Sequence, residues 1–185
     1  MSRNVCIALS ILFTILSCKN PEARRPIQNN SGSFMSNSIE RNKSIFEKEK
    51  SQIIQLLNAN KEQPYHTSES GFWYYYNIKD TTQTKTPEFG DHVTFSYNVN
   101  RLNGTAVLSK EEIGIQNCSI DKTNQELISG IRDGLKLMKQ GETITFLFPS
   151  FKAFGYYGID NKLGTNIPVQ CTVTLNKINQ THENY

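Results

Sequence analysis

The chain has 185 residues, 20 of them Lys or Arg and 17 Asp or Glu, so its formal net charge is +3. This length suits one domain of ordinary size plus flanking segments. The weak positive charge, with no basic cluster interleaved with aromatic residues, argues against nucleic acid or a strongly acidic partner. Three His and four Cys show no Cys-x-x-Cys pair and no metal-ligand spacing, so neither a metal nor a cofactor is predicted.

The amino terminus predicts a secretory signal. Arg3 precedes an apolar run at residues 5–16, which is shorter than the roughly 20 apolar residues of a membrane span. The residues just before Cys18 are aliphatic and then small, which resembles a bacterial lipobox. In that interpretation residues 1–17 are cleaved off and Cys18 carries the lipid; the alternative is an ordinary signal peptide with an incidental cysteine. Lys19 in place of Asp favours the outer membrane, so we expect a lipid-anchored envelope protein facing the periplasm.

Two segments are predicted between the signal and the domain. Residues 18–38 are polar and include the run Asn-Asn-Ser-Gly-Ser, which is typical of a flexible tether. Residues 39–60 predict an amphipathic helix, because apolar residues recur on one side among Glu and Lys. These apolar residues are Ile45, Phe46, Ile53, Leu56 and Leu57.

Residues 71–180 predict one domain of mixed structure. Strands are expected at residues 72–77, 92–102, 105–108, 143–149 and 169–178, with a hairpin turn at Asn103-Gly104. Apolar residues at helical spacing predict one short helix that crosses the sheet: Leu127, Ile128, Ile131, Leu135 and Met138. The predicted fold class is therefore α+β, a mostly antiparallel sheet with one crossing helix.

Several motifs of this domain resemble the FKBP family of peptidyl-prolyl isomerases. The family signature is Glu-Val-Ile-x-Gly-Trp-x-x-Gly, then Met-x-x-Gly, then Ala-Tyr-Gly. The corresponding residues follow in the same order: Glu126-Leu127-Ile128-Ser129-Gly130-Ile131-Arg132-Asp133-Gly134, Met138-Lys139-Gln140-Gly141 and Ala153-Phe154-Gly155. The resemblance extends back to a strand ending in Tyr97 and forward to Ile167-Pro168 and the last strand. It implies a bent antiparallel sheet wrapped on a short helix, here preceded by the amphipathic helix.

The resemblance also implies an activity, isomerisation of X-Pro bonds in exported proline-containing polypeptides, which assists their folding without a cofactor. Three residues take the catalytic positions: Tyr97, Ile128 and Phe154. The backbone N–H of Ile128 would donate a hydrogen bond to a substrate carbonyl. The remaining implied substrate-binding residues are Val107, Leu108, Leu127, Ile131, Tyr157 and Ile167.

Four positions of this implied site depart from the family pattern. Ile131 stands where the family usually has a tryptophan that floors the pocket, and Val107 replaces a phenylalanine. Leu108 replaces the Asp that polarises the bound amide, and Phe154 replaces a tyrosine whose hydroxyl binds substrate. Loss of one hydrogen bond lowers binding or rate by up to roughly tenfold. Two functions therefore stay open: an isomerase of reduced activity, and a catalytically weak chaperone or binding module on the FKBP fold.

Neighbouring residues offer replacements for the two lost polar groups. Tyr156 or Tyr157 would supply a hydroxyl close to Phe154 in sequence. Glu111 or Glu112 would supply a carboxylate, although a solvated acidic pair is the usual meaning of such a run.

Two cysteines, Cys118 and Cys171, remain as thiols once the signal is removed and the anchor is lipidated. In an exported protein they can form a disulfide. Cys171 lies in an apolar strand pattern, however, and two buried free thiols fit the sequence equally well.

The lipobox, the amino-terminal helix, the aromatic strand and the divergent pocket together resemble the gliding-motility-associated FKBP-type lipoproteins of gliding bacteria. That resemblance implies a link to gliding motility. Some exported FKBP proteins dimerise through amino-terminal helices, so residues 39–60 either join two copies in a homodimer or pack on their own domain.

Overall fold

The structure, a computed structural model, describes residues 31–122 and 127–180, with side chains from residue 35 onward. The chain divides into two compact units, Met1–Asn37 and Ser38–Tyr185. The described part of the first unit is the beginning of helix α1 (Ser31–Ala59), and the sheet belongs to the second unit. The expected signal peptide and the expected lipidation site at Cys18 lie outside the described residues.

Helix α1 begins earlier than its sequence pattern predicts. The prediction of a tether over residues 18–38 and a helix over residues 39–60 is wrong for residues 31–38, which are helical. No proline interrupts them, and extending an existing helix is far easier than nucleating one. Over the described ranges, no helix combines the length and the apolar character that a membrane span requires.

Eight strands of the described chain form one antiparallel sheet. They are β1 (His66–Thr67), β2 (Trp73–Ile78), β3 (His92–Tyr97), β4 (Val99–Arg101), β5 (Ala106–Leu108), β6 (Gln116–Ser119), β7 (Thr143–Phe148) and β8 (Val169–Asn179). The spatial order is β1-β2-β7-β8-β3-β6, and β4 pairs with both β5 and β8. Short helices α2 (Lys110–Ile113) and α3 (Ser129–Leu135) and a 3-10 helix (Ser150–Lys152) complete the α+β fold.

The strand predicted over residues 92–102 is interrupted at Asn98 and ends at Arg101, so that prediction is wrong at Asn98 and Leu102. The backbone N–H of Asn98 donates to the carbonyl of Thr172 at 3.2 Å, and its side-chain Oδ1 accepts from the N–H of Thr172 at 2.9 Å. The asparagine amide thus takes the place of a backbone partner, which separates β3 from β4 while keeping both beside β8.

Helix α3 lies close to strand β7 because two glycines face it. A Cβ at Gly130 would come within 2.6 Å of the Phe148 ring, and one at Gly134 within 2.8 Å of the Phe146 ring. The apolar stripe at residues 127–138 is helical only over Ser129–Leu135. The main buried cluster fills the space between α3 and this face of the sheet.

Helix α1 packs on the other face of β7 through a second buried cluster. Ile53 of α1, Trp73 and Leu147 form its centre, and both Ile53 and Leu147 are fully buried. Because successive side chains of a strand point to opposite faces, Leu147 joins this cluster while its neighbours Phe146 and Phe148 join the main one. The helix therefore packs on its own domain from Phe46 to Leu57.

Candidate functional site

Tyr97 lies at the end of β3, beside the buried strand β8. Its ring stacks on that of Phe95 with centroids 6.0 Å apart, and it pairs with Val173 across the sheet. The side chain is half-buried. Burial, and to a lesser extent the nearby Cys171 thiol, raise the pKa of Tyr97 above its ordinary value. The phenol is therefore protonated at neutral pH, and its hydroxyl can donate a hydrogen bond to a ligand.

Ile128 occupies the position just before α3. Its φ and ψ of −58° and 142° are extended, and its carbonyl accepts a hydrogen bond from the N–H of Arg132 at 3.3 Å. A residue at this position has an N–H that the helix itself does not use. Within the described part of the chain, nothing accepts a hydrogen bond from the Ile128 N–H. The half-buried side chain and this donor together provide an apolar contact and a hydrogen bond.

Phe154 lies in a tightly folded loop after the 3-10 helix. The N–H groups of Ala153 and Gly155 both donate to the carbonyl of Ser150, at 2.9 and 2.8 Å. The carbonyl of Phe154 accepts from the N–H groups of Tyr157 and Gly158, at 3.2 and 3.1 Å. The turn requires a left-handed backbone at Gly155 and Gly158, with φ of +52° and +65°, which glycine adopts without strain.

The structure brings most of the expected site residues together on one core. Six of them are partly exposed and pack against the main buried cluster: Tyr97, Leu108, Leu127, Ile128, Phe154 and Ile167. Ile159 packs there as well. The result is an apolar surface with one phenolic hydroxyl and one unused backbone N–H at its edges. Glu126, part of the quoted motif, lies outside the described residues.

Three expected site residues are placed differently from these six. Val107 is 8 % exposed and Ile131 is fully buried, so both support the surface from within the core. Tyr157 is 90 % exposed, and its ring contacts that of Tyr156 edge-on at 6.1 Å between centroids. Ile131 can therefore touch a ligand only after a neighbouring side chain moves.

Glu112 has structural partners that sequence reasoning did not foresee. Its Oε2 accepts from the backbone N–H of Ser109 at 2.9 Å, completing a capping box on α2. Its Oε1 pairs with Lys162 Nζ at 2.7 Å. These hydrogen bonds lower the pKa of Glu112, with the bond from Lys162 as the main cause. The carboxylate is thus already engaged at the loop before β8.

Cys118 and Cys171 are both free thiols in this structure. Cys118 is half-buried on β6 and Cys171 is fully buried on β8, with strand β3 between the two strands. Strands two apart are roughly 10 Å from each other, which exceeds the Cα separation of a disulfide. Burial raises the pKa of both thiols. In residues 31–122 and 127–180, no cluster of His, Cys, Asp or Glu is suited to a metal ion.

Sequence reasoning missed one buried polar pair beside this site. Glu49 of α1 is 3 % exposed and Ser150 is 4 % exposed, and the two are hydrogen-bonded. A signal was available in the sequence: Glu49 stands four residues after Ile45 and four before Ile53, so it falls on the apolar face of the predicted helix.

Comparisons with known proteins agree on one family. The profile of FKBP-type peptidyl-prolyl cis-trans isomerases matches residues 83–176. A probable FKBP-type peptidyl-prolyl cis-trans isomerase FkpA of Neisseria meningitidis is 30 % identical over 131 residues, which cover 71 % of this chain. The chain spans about half the length of that relative, since the matched part is 46 % of it.

Two solved structures show the same fold at lower identity. FkpA from Escherichia coli aligns with a TM-score of 0.56 and 20 % identity over 97 % of this chain and 83 % of that one. A peptidyl-prolyl cis-trans isomerase from Pseudomonas syringae aligns with a TM-score of 0.57 and 18 % identity over 75 % of this chain and 96 % of that one. The expected fold, with a helix preceding the sheet, is confirmed. The matched profile covers the segments that contain Tyr97, Ile128 and Phe154, and this chain belongs to the family of FKBP-type peptidyl-prolyl cis-trans isomerases.

Proposed function

We propose that this protein catalyses cis–trans isomerisation of X-Pro bonds in exported polypeptides, at the surface formed around Tyr97, Ile128 and Phe154. The observation that carries the proposal is the placement of these three half-buried residues, from three separate elements, against one buried core inside the family-matched segment. Their polar complement, a phenol and a free backbone N–H, suits a polypeptide rather than a charged metabolite.

Isomerisation of an X-Pro bond requires no reactive side chain in the site. The obstacle is the partial double bond of the X-Pro amide, with a rotation barrier of about 18–20 kcal/mol. A site that binds the twisted amide better than either planar form accelerates the reaction without a nucleophile or a proton transfer. Leu127, Ile128 and Phe154 would hold the proline ring away from water. The N–H of Ile128 and the hydroxyl of Tyr97 would orient carbonyls on either side of the bond.

We infer that the reaction is slower here than in family members with the full set of polar groups. Leu108 cannot polarise the amide as a carboxylate would, and Phe154 has no hydroxyl. Glu112 is held by Ser109 and Lys162, so it does not replace the missing carboxylate. Each missing hydrogen bond is expected to lower kcat/KM by up to about tenfold.

A second candidate function, a chaperone or binding module, is favoured by a groove beside the site. A cavity of about 590 Å³ lies between α1 and the β4–β5 turn. Ile167 lines it and also packs on the main buried cluster, as Tyr97 does, so the groove and the candidate site share a residue. Its other lining residues are Gln52, Gln55, Leu56, Arg101, Leu102, Asn103 and Pro168. A module of this kind would bind unfolded polypeptide in the groove without accelerating isomerisation.

We propose further that the protein acts in the cell envelope, anchored by lipid at Cys18 to the outer membrane and facing the periplasm. The lipobox supports this location. The resemblance to gliding-motility lipoproteins supports clients among exported motility components. The exposed apolar residues Met35 and Ile39 of α1, 62 % and 65 % exposed, support a homodimer formed through this helix.

The test of the main proposal is prolyl exchange on short peptides with Leu, Phe or Ala before proline, measured on the wild type and on Tyr97→Ala. Clear acceleration by the wild type, lost in the variant, is the expected result. A matched control is Phe89→Ala, because Phe89 is 67 % exposed and does not pack on the core. A folded wild type that accelerates no peptide rejects the isomerase and leaves the binding module. Acceleration that survives Tyr97→Ala rejects the site.

A further inference from the structure

Glu49 is a buried carboxylate on α1 whose partners all lie in one residue. Its Oε2 accepts from the backbone N–H of Ser150 at 2.7 Å, and its Oε1 accepts from the Ser150 hydroxyl at 2.6 Å. Over the described ranges, no Lys, Arg or His pairs with it. A buried carboxylate without a cation is costly unless hydrogen bonds compensate. An apolar side chain would be enough to pack the helix on its domain, so a carboxylate at this position indicates a further role.

Ser150 connects this carboxylate to the loop of the candidate site. The residue begins the 3-10 helix, and its carbonyl accepts the N–H groups of Ala153 and Gly155. These two residues are the direct neighbours of Phe154. The carbonyl of Gly155 in turn accepts from the N–H of Asn166 at 2.7 Å, just before Ile167. One continuous series of hydrogen bonds thus runs from α1 to both ends of the loop.

The space around this pair is not closely packed. A cavity of about 440 Å³ lies between α1 and the loop. It is lined on the helix side by Asn42, Ile45, Phe46 and Glu49, and on the loop side by Ser150, Phe151, Gly155, Tyr156 and Asn166. The Phe46 and Phe151 rings meet edge-on at 5.5 Å between centroids. With a cavity behind the loop, side-chain packing leaves it room to shift, and the hydrogen bonds to Glu49 fix its position.

We propose that Glu49 is a positioning residue for the prolyl site: the amino-terminal helix holds Phe154 in place through Glu49 and Ser150. This inference rests on the proposed isomerase function and deepens it. It gives α1 a role in the reaction itself, beyond any part in dimerisation or client binding. A carboxylate suits this position because Ser150 presents two donors and both oxygens of Glu49 accept from them in charge-assisted hydrogen bonds. A glutamine keeps the bond from the Ser150 N–H through its oxygen, but its NH₂ group must then donate to the Ser150 hydroxyl oxygen, and both bonds lose the charge that strengthens them.

The experiment compares the full chain with Glu49→Gln and Ser150→Ala, and with Glu47→Gln as the matched control. Glu47 is an exposed residue of the same helix, so its substitution leaves the loop untouched. Two quantities are measured: kcat and KM for X-Pro peptide isomerisation, and hydrogen exchange at the amides of Ala153 and Gly155. Exchange reports on the loop whether or not the protein is an active isomerase.

We expect Glu49→Gln to lower kcat about five- to tenfold and to speed exchange at Ala153 and Gly155 about tenfold. Exchange in β7 and β8 should stay unchanged, and Glu47→Gln should match the wild type. Ser150→Ala, which keeps the N–H bond to Glu49, should give a smaller change in the same direction. In the double variant the two effects should be smaller than their product, because both act through one contact.

Two results would overturn the inference. In the first, Glu49→Gln speeds exchange no more in the loop than in β7, so Glu49 only docks the helix. In the second, the loop loosens but kcat and KM of an active wild type do not change. If the wild type itself shows no isomerisation, the proposed function fails, whereas selective loosening of the loop still upholds the link from α1 to Phe154. If Glu49→Gln does not fold, Ser150→Ala decides by the same two measurements.

Discussion

Gly134 of helix α3 lies against the ring of Phe146 so closely that an added methyl group would stand 2.8 Å from its Cζ atom. This contact sets how closely helix α3 approaches strand β7, which lies between β2 and β8 in the sheet. Ile128 of the candidate site lies just before that helix, and the position of its free N–H therefore depends on how near α3 can come to β7.

We predict that Gly134→Ala destabilises the protein by about 1–3 kcal/mol, because the Phe146 ring is fully buried and cannot move aside freely. The free energy of unfolding in urea measures this effect. Gly164→Ala is the matched control, since its Cβ would meet Ile167 at an ordinary 3.8 Å, and it should change stability by less than about 0.5 kcal/mol. Equal stability of the two variants would contradict the close contact between Gly134 and the Phe146 ring.

Phe154→Tyr should raise isomerase activity, because it adds a hydroxyl at a half-buried position of the proposed prolyl site. One added hydrogen bond predicts a gain in kcat/KM of up to about tenfold. The same substitution at Phe151, which is 54 % exposed and does not pack on the main core, is the control and should leave kcat/KM unchanged. A gain in both variants, or in neither, would contradict the assignment of Phe154.

The buried thiol of Cys171 should make the protein less stable at alkaline pH. Burial raises its pKa in the folded state far above the ordinary value of about 8.5. The thiol therefore stabilises the fold fully below about pH 8.5, and this stabilisation is lost as pH rises and the unfolded chain ionises first. Between pH 8 and pH 10 the wild type should lose about 2 kcal/mol more than Cys171→Ala. Urea unfolding at both pH values measures the difference, with the half-buried Cys118 present in both proteins. If the wild type and Cys171→Ala lose equal stability between pH 8 and pH 10, the prediction is contradicted. The Cys171 thiol would then ionise in the folded protein as readily as in the unfolded chain.

Cys18→Ser should release the protein from membranes if the lipobox is used. Acyl chains contribute about 0.8 kcal/mol per buried methylene, so loss of the attachment residue should move the protein from the pelleted to the soluble envelope fraction. Fractionation of cells that express each protein measures this. Cys118→Ser, which changes a thiol of the folded domain, should stay with the membrane. A Cys18→Ser protein that still pellets would remove the lipid anchor from the proposed function.

The local pattern of apolar residues in the sequence predicted much of the fold. Alternating and continuous apolar runs predicted the strands at β2, β5, β7 and β8 to within one or two residues, because burial of one or both faces leaves a periodic trace. The hairpin turn at Asn103-Gly104 was equally readable, and Gly104 adopts the positive φ of +85° that such a turn requires. The start of α1 was not, since the polar residues 31–38 have the composition of a linker and carry no apolar periodicity.

The sequence likewise predicted only part of the candidate site. The order of short motifs predicted that Tyr97, Ile128 and Phe154 belong to one site, and all three pack against the main buried cluster. The motifs did not predict whether each side chain is buried or exposed: Ile131 is fully buried, while Tyr157 is almost fully exposed. Ile131 belongs to the first quoted motif, and Tyr157 lies two residues after the last one. Only the packing of α3 and of the loop determines that the first is buried and the second exposed.

By itself, the sequence determined the class of fold, the main strands and the family, and it predicted the candidate residues of the site. Those properties depend on local periodicity and on short runs of residue types, which a linear chain displays directly. The tertiary structure alone decided which residues remain exposed, that Asn98 divides a strand, and that Glu49 meets Ser150 across 101 residues of sequence. Such contacts depend on sheet register and on the docking of α1, which bring distant residues together and leave no periodic trace in the chain.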